Sequence, residues 1–167
     1  MITIDTETIN KNGTLIPYLY CMYDGIKTFS FFGIDPIEIR KQLFKQLLRK
    51  KYNGYSVYAH ILSRFYIIFL FKYICELHNT YGYIVKPIIK DGDVISIKIK
   101  NDKGVSITFK DSYLLLVSSL FNLSNTFNCQ VKGIEPILKL SESLSIDEKY
   151  YAQEDISHYS KDVRIID

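Results

Sequence analysis

The sequence predicts an α/β domain in which a mixed sheet is flanked by helices and carries an extra β-hairpin. Three observations predict it: alternating apolar and aromatic runs near the start, two middle segments with helical spacing, and turn pairs such as Asp24-Gly25 between runs. With 167 residues, 47% of them hydrophobic, the chain suffices for one ordinary domain with a full core. No internal repeat, low-complexity tract or Gly/Ser linker divides it.

Met1 to Thr6 alternates apolar and polar residues and reads as a first strand. Thr14 to Tyr23 and Ile26 to Phe32 follow as β-rich runs joined by Asp24-Gly25, a strong short hairpin signal, giving a three-stranded antiparallel start. Asp35-Pro36-Ile37-Glu38 supplies an N-cap, a proline in the first turn and a glutamate three residues past the cap. The spacing predicts a helix from there to about Lys51, with Ile37, Phe44, Leu47 and Leu48 as its buried stripe. Asn53-Gly54 ends it, and Tyr55 to Ala59 reads as a central strand.

Leu62 to Asn79 is apolar on nearly every side, which predicts a helix buried between a sheet and another element. Tyr83 to Ile89 is a further strand. Val94 to Lys100 and Val105 to Lys110, joined through Asn101-Asp102-Lys103-Gly104, form a second hairpin with Ile95, Ile97 and Ile99 on one face. Tyr113 to Phe127 returns to helical spacing. Beyond Gly133 the chain is polar, Ser-rich and poorly periodic. The order β-β-β-α-β-α-β is that of a ribonuclease-H-like fold, in which acids at the end of the first strand meet metal ions at the sheet edge.

The charges nearly balance, 21 basic against 18 acidic, so the net +3 permits a nucleic-acid partner without identifying one. Arg40-Lys41, Lys45 and Arg49-Lys50-Lys51 read as a solvated helix face rather than a phosphate track. Cys21, Cys75 and Cys129 lack the paired spacing of a zinc site and read as reduced thiols. No secretory or transit peptide is visible at the start, and Phe65 to Phe71 falls far short of the roughly 20 apolar residues a membrane span needs, so a soluble protein with no membrane partner is expected. The 25 Ile and 17 Lys against 4 Arg and no Trp indicate an AT-rich gene.

Asp5 and Glu7 stand two apart, so on a strand both project to one face and could hold a divalent cation between them. A triplet of this kind is common, and the rest of the chain decides its meaning.

The segment VYAHILSRFYIIFL at 57–70 resembles the second exonuclease motif of protein-primed B-family DNA polymerases, especially those of linear mitochondrial plasmids: tyrosine, any residue, His-Asn, two or three residues, Phe-Asp. Asp5-Thr6-Glu7-Thr8 occupies the place of that family's first motif. FKDSYLLLVSSL at 109–120 is similar to the stretch carrying its Ser/Thr-Leu motif, with Tyr113 in place of the leucine; the register Ser119-Leu120 with Leu123 keeps that leucine. Lys132-Gly133-Ile134 resembles the lysine motif that follows. The four come in the family's order.

The resemblance implies that residues 1–167 form a single 3′–5′ proofreading exonuclease domain, with the polymerase domain lying outside them. It implies four acids around two metal ions, Mg²⁺ or Mn²⁺, one ion activating water and the other stabilising the leaving 3′ oxygen. Asp5 and Glu7 would be two of the four, Lys132 would stabilise charge on the phosphate, and Thr8, Tyr58, His60, Phe65 and Ser112 would grip the 3′ end of single-stranded DNA. A terminal protein is a further partner by family analogy, and a mitochondrial location follows from the resemblance together with the base composition.

The chain departs from the motif at two positions. Ile61 stands where the family has asparagine, and Tyr66 where it has the metal-binding aspartate. A phenol with a pKa near 10 is neutral at pH 7 and is a poor replacement for a carboxylate on magnesium. The third motif, tyrosine then aspartate four residues on, is also missing: Tyr159 and Asp162 are three apart and only His158 has the right spacing, so that motif is expected beyond Asp167. The expected activity is therefore impaired hydrolysis; the alternatives are a non-catalytic single-strand-binding module and an inactive remnant. His60 reads equally as a DNA contact or a capping histidine, Phe65 as a stacking or a core aromatic.

Overall fold

The computed structural model describes residues 1–129. They form one seven-stranded mixed sheet with helices against it. The strands are β1 (Ile2–Lys11), β2 (Thr14–Tyr23), β3 (Thr28–Phe32), β4 (Tyr55–Ala59), β5 (Ile84–Lys90), β6 (Asp93–Lys100) and β7 (Ser106–Asp111), and their order is β3-β2-β1-β4-β7-β6-β5. β1, β4 and β7 run parallel through the middle, and antiparallel strands continue the sheet on both sides. β6 and β7 form the expected second hairpin, and β5 extends it at the far edge through a turn at Asp91-Gly92, where positive φ at both residues (53° and 85°) makes the tight two-residue connection.

α1 (Pro36–Leu47) starts as its sequence dictates. The Asp35 carboxylate accepts from the amides of Ile37 at 2.8 Å and Glu38 at 3.4 Å, and Pro36 opens the first turn. Its inward stripe is Ile39, Leu43, Phe44 and Leu47; Ile37, expected inside, is exposed. α2 (Ile67–Asn79) buries Phe69, Leu70, Tyr73, Ile74 and Leu77, and Arg40 of α1 donates to the Phe69 carbonyl at 2.6 Å. The core joins these helices to one sheet face through Ile2, Ile4, Tyr20, Met22, Val57, Ile97, Ile99, Ile107 and Phe109. Among the described residues no helix is long and apolar enough to cross a membrane.

Four elements differ from expectation, the first being α1, which ends at Leu47 rather than at about Lys51. β1 continues past Thr6 to Lys11, because Asn12-Gly13 with φ of 53° and 81° places the hairpin turn there. Asp5 and Glu7 therefore lie within a strand rather than at its end. The expected helix from Leu62 begins as a single π-type turn, Leu62–Tyr66, before α2 takes over. α3 covers only Leu120–Phe127, not Tyr113–Phe127.

Candidate active site

β1 pairs with β4 only through Ile2↔Val57 and Thr3↔Tyr58. Past that point the two parallel strands part, and a cavity of about 510 Å³ opens over the sheet. Thr3 and Asp5 of β1, Cys21 and Tyr23 of β2, Tyr58 of β4, then His60, Tyr66 and Ser112 line it, and Leu115, Leu116 and Leu120 add an apolar side. Four of the residues singled out from sequence, Asp5, Tyr58, His60 and Ser112, thus meet in one cavity although up to 107 positions separate them.

Asp5 is half-buried and Glu7 is buried, just before a bulge at Glu7/Thr8. The Tyr66 hydroxyl donates a hydrogen bond to Asp5 Oδ1. Tyr66 itself is buried, and burial first, then the Asp5 charge and that hydrogen bond, hold its pKa far above the ordinary tyrosine value; Glu7 adds in the same direction. The phenol is therefore neutral across the physiological range and offers Asp5 a donor, which is the opposite of a further anionic ligand. Asp5 and Glu7 are two suitable oxygen donors for a hard cation. Among the described residues no cluster of three or more His, Cys, Asp or Glu side chains accompanies them, so the set does not fit a complete two-metal centre.

His60 follows β4 and is buried at 9% exposure. Its Nε2 lies 2.9 Å from the Ser118 carbonyl, an acceptor only, so this nitrogen carries the proton; in the neutral ring Nδ1 then accepts from the Ser112 hydroxyl at 3.2 Å. Tyr113 packs edge-on against the imidazole at 5.5 Å. The ring is thereby fixed by three residues of the single segment between β7 and α3. Tyr58 is half-buried with the Lys110 ammonium 5.9 Å from its ring centre.

Three expected residues do not line the cavity, and the buried Glu7 is one of them. Thr8 sits half-buried past the bulge, opposite Pro17, and does not line the cavity. Phe65 packs edge-on against Tyr66 at 5.4 Å and Phe69 at 5.2 Å, beside the core. Lys132, the motif Lys132-Gly133-Ile134 and the pairs at Tyr159 and His158 with Asp162 lie outside the described residues.

Sequence reasoning missed Asp111. This residue ends β7, is 4% exposed, and accepts from the Ser63 amide at 3.0 Å, the Ser63 hydroxyl at 3.1 Å and the Tyr113 amide at 2.9 Å. Its link to Tyr113 two residues on is an Asx turn, a signal the Lys-Asp-Ser stretch carries at the end of an alternating strand. The link to Ser63 fixes the π-type turn that carries Tyr66. Ile61, directly before that turn, adopts φ 61° and ψ 42°, a left-handed conformation that strains a β-branched residue and suits asparagine.

Residues 47–164, more than half of the chain, match the model of DNA polymerase type B, organellar and viral. The chain belongs to this family. It is similar to probable DNA polymerases of Neurospora intermedia, 31% identical over 72% of this chain, of Ascobolus immersus, 33% over 78%, and of Agaricus bitorquis, 26% over 95%. It spans only 13%, 11% and 23% of the length of those relatives. In fold it is similar to Phi29 DNA polymerase, at TM-score 0.59 and 16% identity over 78% of this chain and 24% of that one, in a complex with primer-template DNA. A second complex of the same polymerase, with primer-template DNA and incoming nucleotides, matches 93% of this chain and 28% of that one at 15% identity and TM-score 0.59. These likenesses bear out the ribonuclease-H-like α/β fold and the type B family membership of the chain.

Proposed function

We propose that this part of a type B polymerase is its 3′–5′ exonuclease domain, keeping a cavity for the end of a single strand while its hydrolytic power is impaired. The observation that carries the reading is the Tyr66 hydrogen bond to Asp5: a neutral phenol faces the acid pair at the motif position where a third carboxylate is expected. The family resemblance supplies the chemistry of an intact site, divalent cations at Asp5 and Glu7. In this chain those acids provide two oxygen ligands, and the Tyr66 hydroxyl holds one of them by donating a hydrogen bond to Asp5.

The remaining cavity groups suit binding. Tyr58 presents an aromatic face, His60 is held rigid by Ser112 and Ser118, and Leu115, Leu116 and Leu120 offer an apolar wall to a base. A terminal protein as partner and the mitochondrion as location belong to the same proposal, through the resemblance.

Incubation of the full chain with end-labelled single-stranded DNA and Mg²⁺ or Mn²⁺ tests the reading. Binding with little digestion is expected; trimming at rates of intact proofreading domains overturns the impairment, and no binding at low salt overturns the domain's role. The double variant Ile61→Asn with Tyr66→Asp should bind Mn²⁺ more tightly than wild type by titration calorimetry.

A further inference from the structure

The face of the sheet that carries the cavity does not stop there. Following the pairing register outward from Tyr58, its partner is Lys110 on β7, then Ser96 on β6 and Ile88 on β5. One step along, Ser56 is followed by Thr108, Lys98 and Lys86; one step further, Ser106 is followed by Lys100 and Ile84. This half of the face therefore holds four lysines and four hydroxyl side chains. By register it carries no acid, since Asp93 and Asp111 alternate to the other side. Lys86, Lys98 and Lys100 are exposed, Lys110, Thr108 and Ser106 half-exposed, and among the described residues no ion pair engages these lysines.

Lys86 stands directly opposite Lys98 on neighbouring strands. Like charges in that position repel and weaken a hairpin. Another group of basic side chains, Lys41, Lys45 and Arg49, lies on α1 and the turn after it, with Glu38 and Gln46 among them; α1 packs on the opposite face. A set of uncompensated lysines interleaved with hydroxyls, beginning at a half-buried tyrosine on the wall of the cavity, is the charge pattern of a polyanion track.

We infer that the open face of β4, β7, β6 and β5 carries a phosphate track, along which the single strand whose end sits in the cavity runs outward over Lys110, Lys98, Lys100 and Lys86. The track is about 14 Å wide, three strand spacings from β4 to β5. The inference rests on the cavity being a single-strand site. Each phosphate met by a lysine releases a counterion, and bound phosphates relieve the repulsion between Lys86 and Lys98.

The test is fluorescence anisotropy on the full chain in EDTA, with oligothymidylates of about 2 nucleotides, which reach the cavity alone, and about 16, the upper end of single-strand site sizes. The variant Lys86→Thr/Lys98→Thr/Lys100→Thr should bind the longer oligonucleotide about 10- to 100-fold more weakly, with a log-log salt slope shallower by about 2, and the shorter one as wild type does. Its melting temperature should be no lower than wild type, which separates lost binding from lost folding. Lys41→Ser/Lys45→Ser on α1 should bind both lengths normally. Unchanged affinity and slope in the triple variant, or an equal loss for duplex DNA, anionic vesicles or an acidic peptide, overturns the track. His60→Ala reads the cavity separately: weaker binding of both lengths there, with no effect of the lysines, leaves the cavity and removes the track. Lysine-dependent binding of the longer oligonucleotide with none of the shorter leaves the track and removes the cavity.

Discussion

Asp5 and Asp111 are both carboxylates on the parallel strands at the centre of the sheet, yet they are held in contrasting ways. Asp111 is almost fully buried and surrounded by donors from Ser63 and Tyr113, all contributed by the loops it joins. Asp5 is half-buried on the wall of a cavity and meets a phenol that reaches it from the π-type turn before α2. Donors built from neighbouring backbone make a carboxylate architectural, whereas a cavity wall leaves an acid open to a ligand. The contrast separates the residue that shapes the site from the residue that chemistry would use.

The largest test of that contrast is Asp111→Ala. Three half-buried donors lose their acceptor, and the cost should be about 3 kcal/mol in denaturant unfolding. A cost near zero would mean that Asp111 holds nothing. The next largest effect comes with alkali. Burial pushes Tyr20 up to about 12, and Tyr66 is raised further, so both phenols stay protonated in the fold while the unfolded chain ionises near pH 10. Their contribution is complete below pH 10 and fades as pH rises above it, by about 3 kcal/mol at pH 11. Phenolate absorbance should show Tyr66 ionising at lower pH in Asp5→Asn and unmoved in Asp111→Asn, which sharpens the comparison at a single reporter.

Tyr66→Phe should cost about 1 kcal/mol, because Asp5 is near enough to water to be solvated in place of its lost donor. A much larger loss would make Asp5 as architectural as Asp111. The smallest effect is a gain: Ile61→Asn removes a β-branched residue from a left-handed conformation and should raise stability by about 1 kcal/mol without changing the cavity. Thermal or denaturant unfolding measures both.

Much of the fold was legible because it is written locally. Asp35-Pro36 capped α1 as expected, and Tyr55–Ala59 formed the central strand within the predicted bounds. The shortfall at α3 has a local cause that is easy to overlook: Asp111 captures the Tyr113 amide, the Ser112 carbonyl accepts from Leu115 and Leu116, and Ser119 caps a later start. Spacing two put Asp5 and Glu7 on one strand, as β1 has them, but did not say that Asp5 alone of the two would line the cavity. The bond from Asp111 to Ser63 spans 48 positions, and no pattern of period 2 or 3.6 announces it. Nor did spacing say which of Tyr58, His60, Phe65 and Ser112 would reach one cavity; the parting of β1 from β4 decides that, and Phe65 falls on the other side of the π-type turn.

Cys21 lies opposite Asp5 on β2 and reaches the same cavity wall. A sulfur at that point makes the interior addressable by covalent labelling. With Cys75 and Cys129 changed to serine, a maleimide dye attached there would sit where a nucleotide is proposed to lie, turning occupancy into an optical signal.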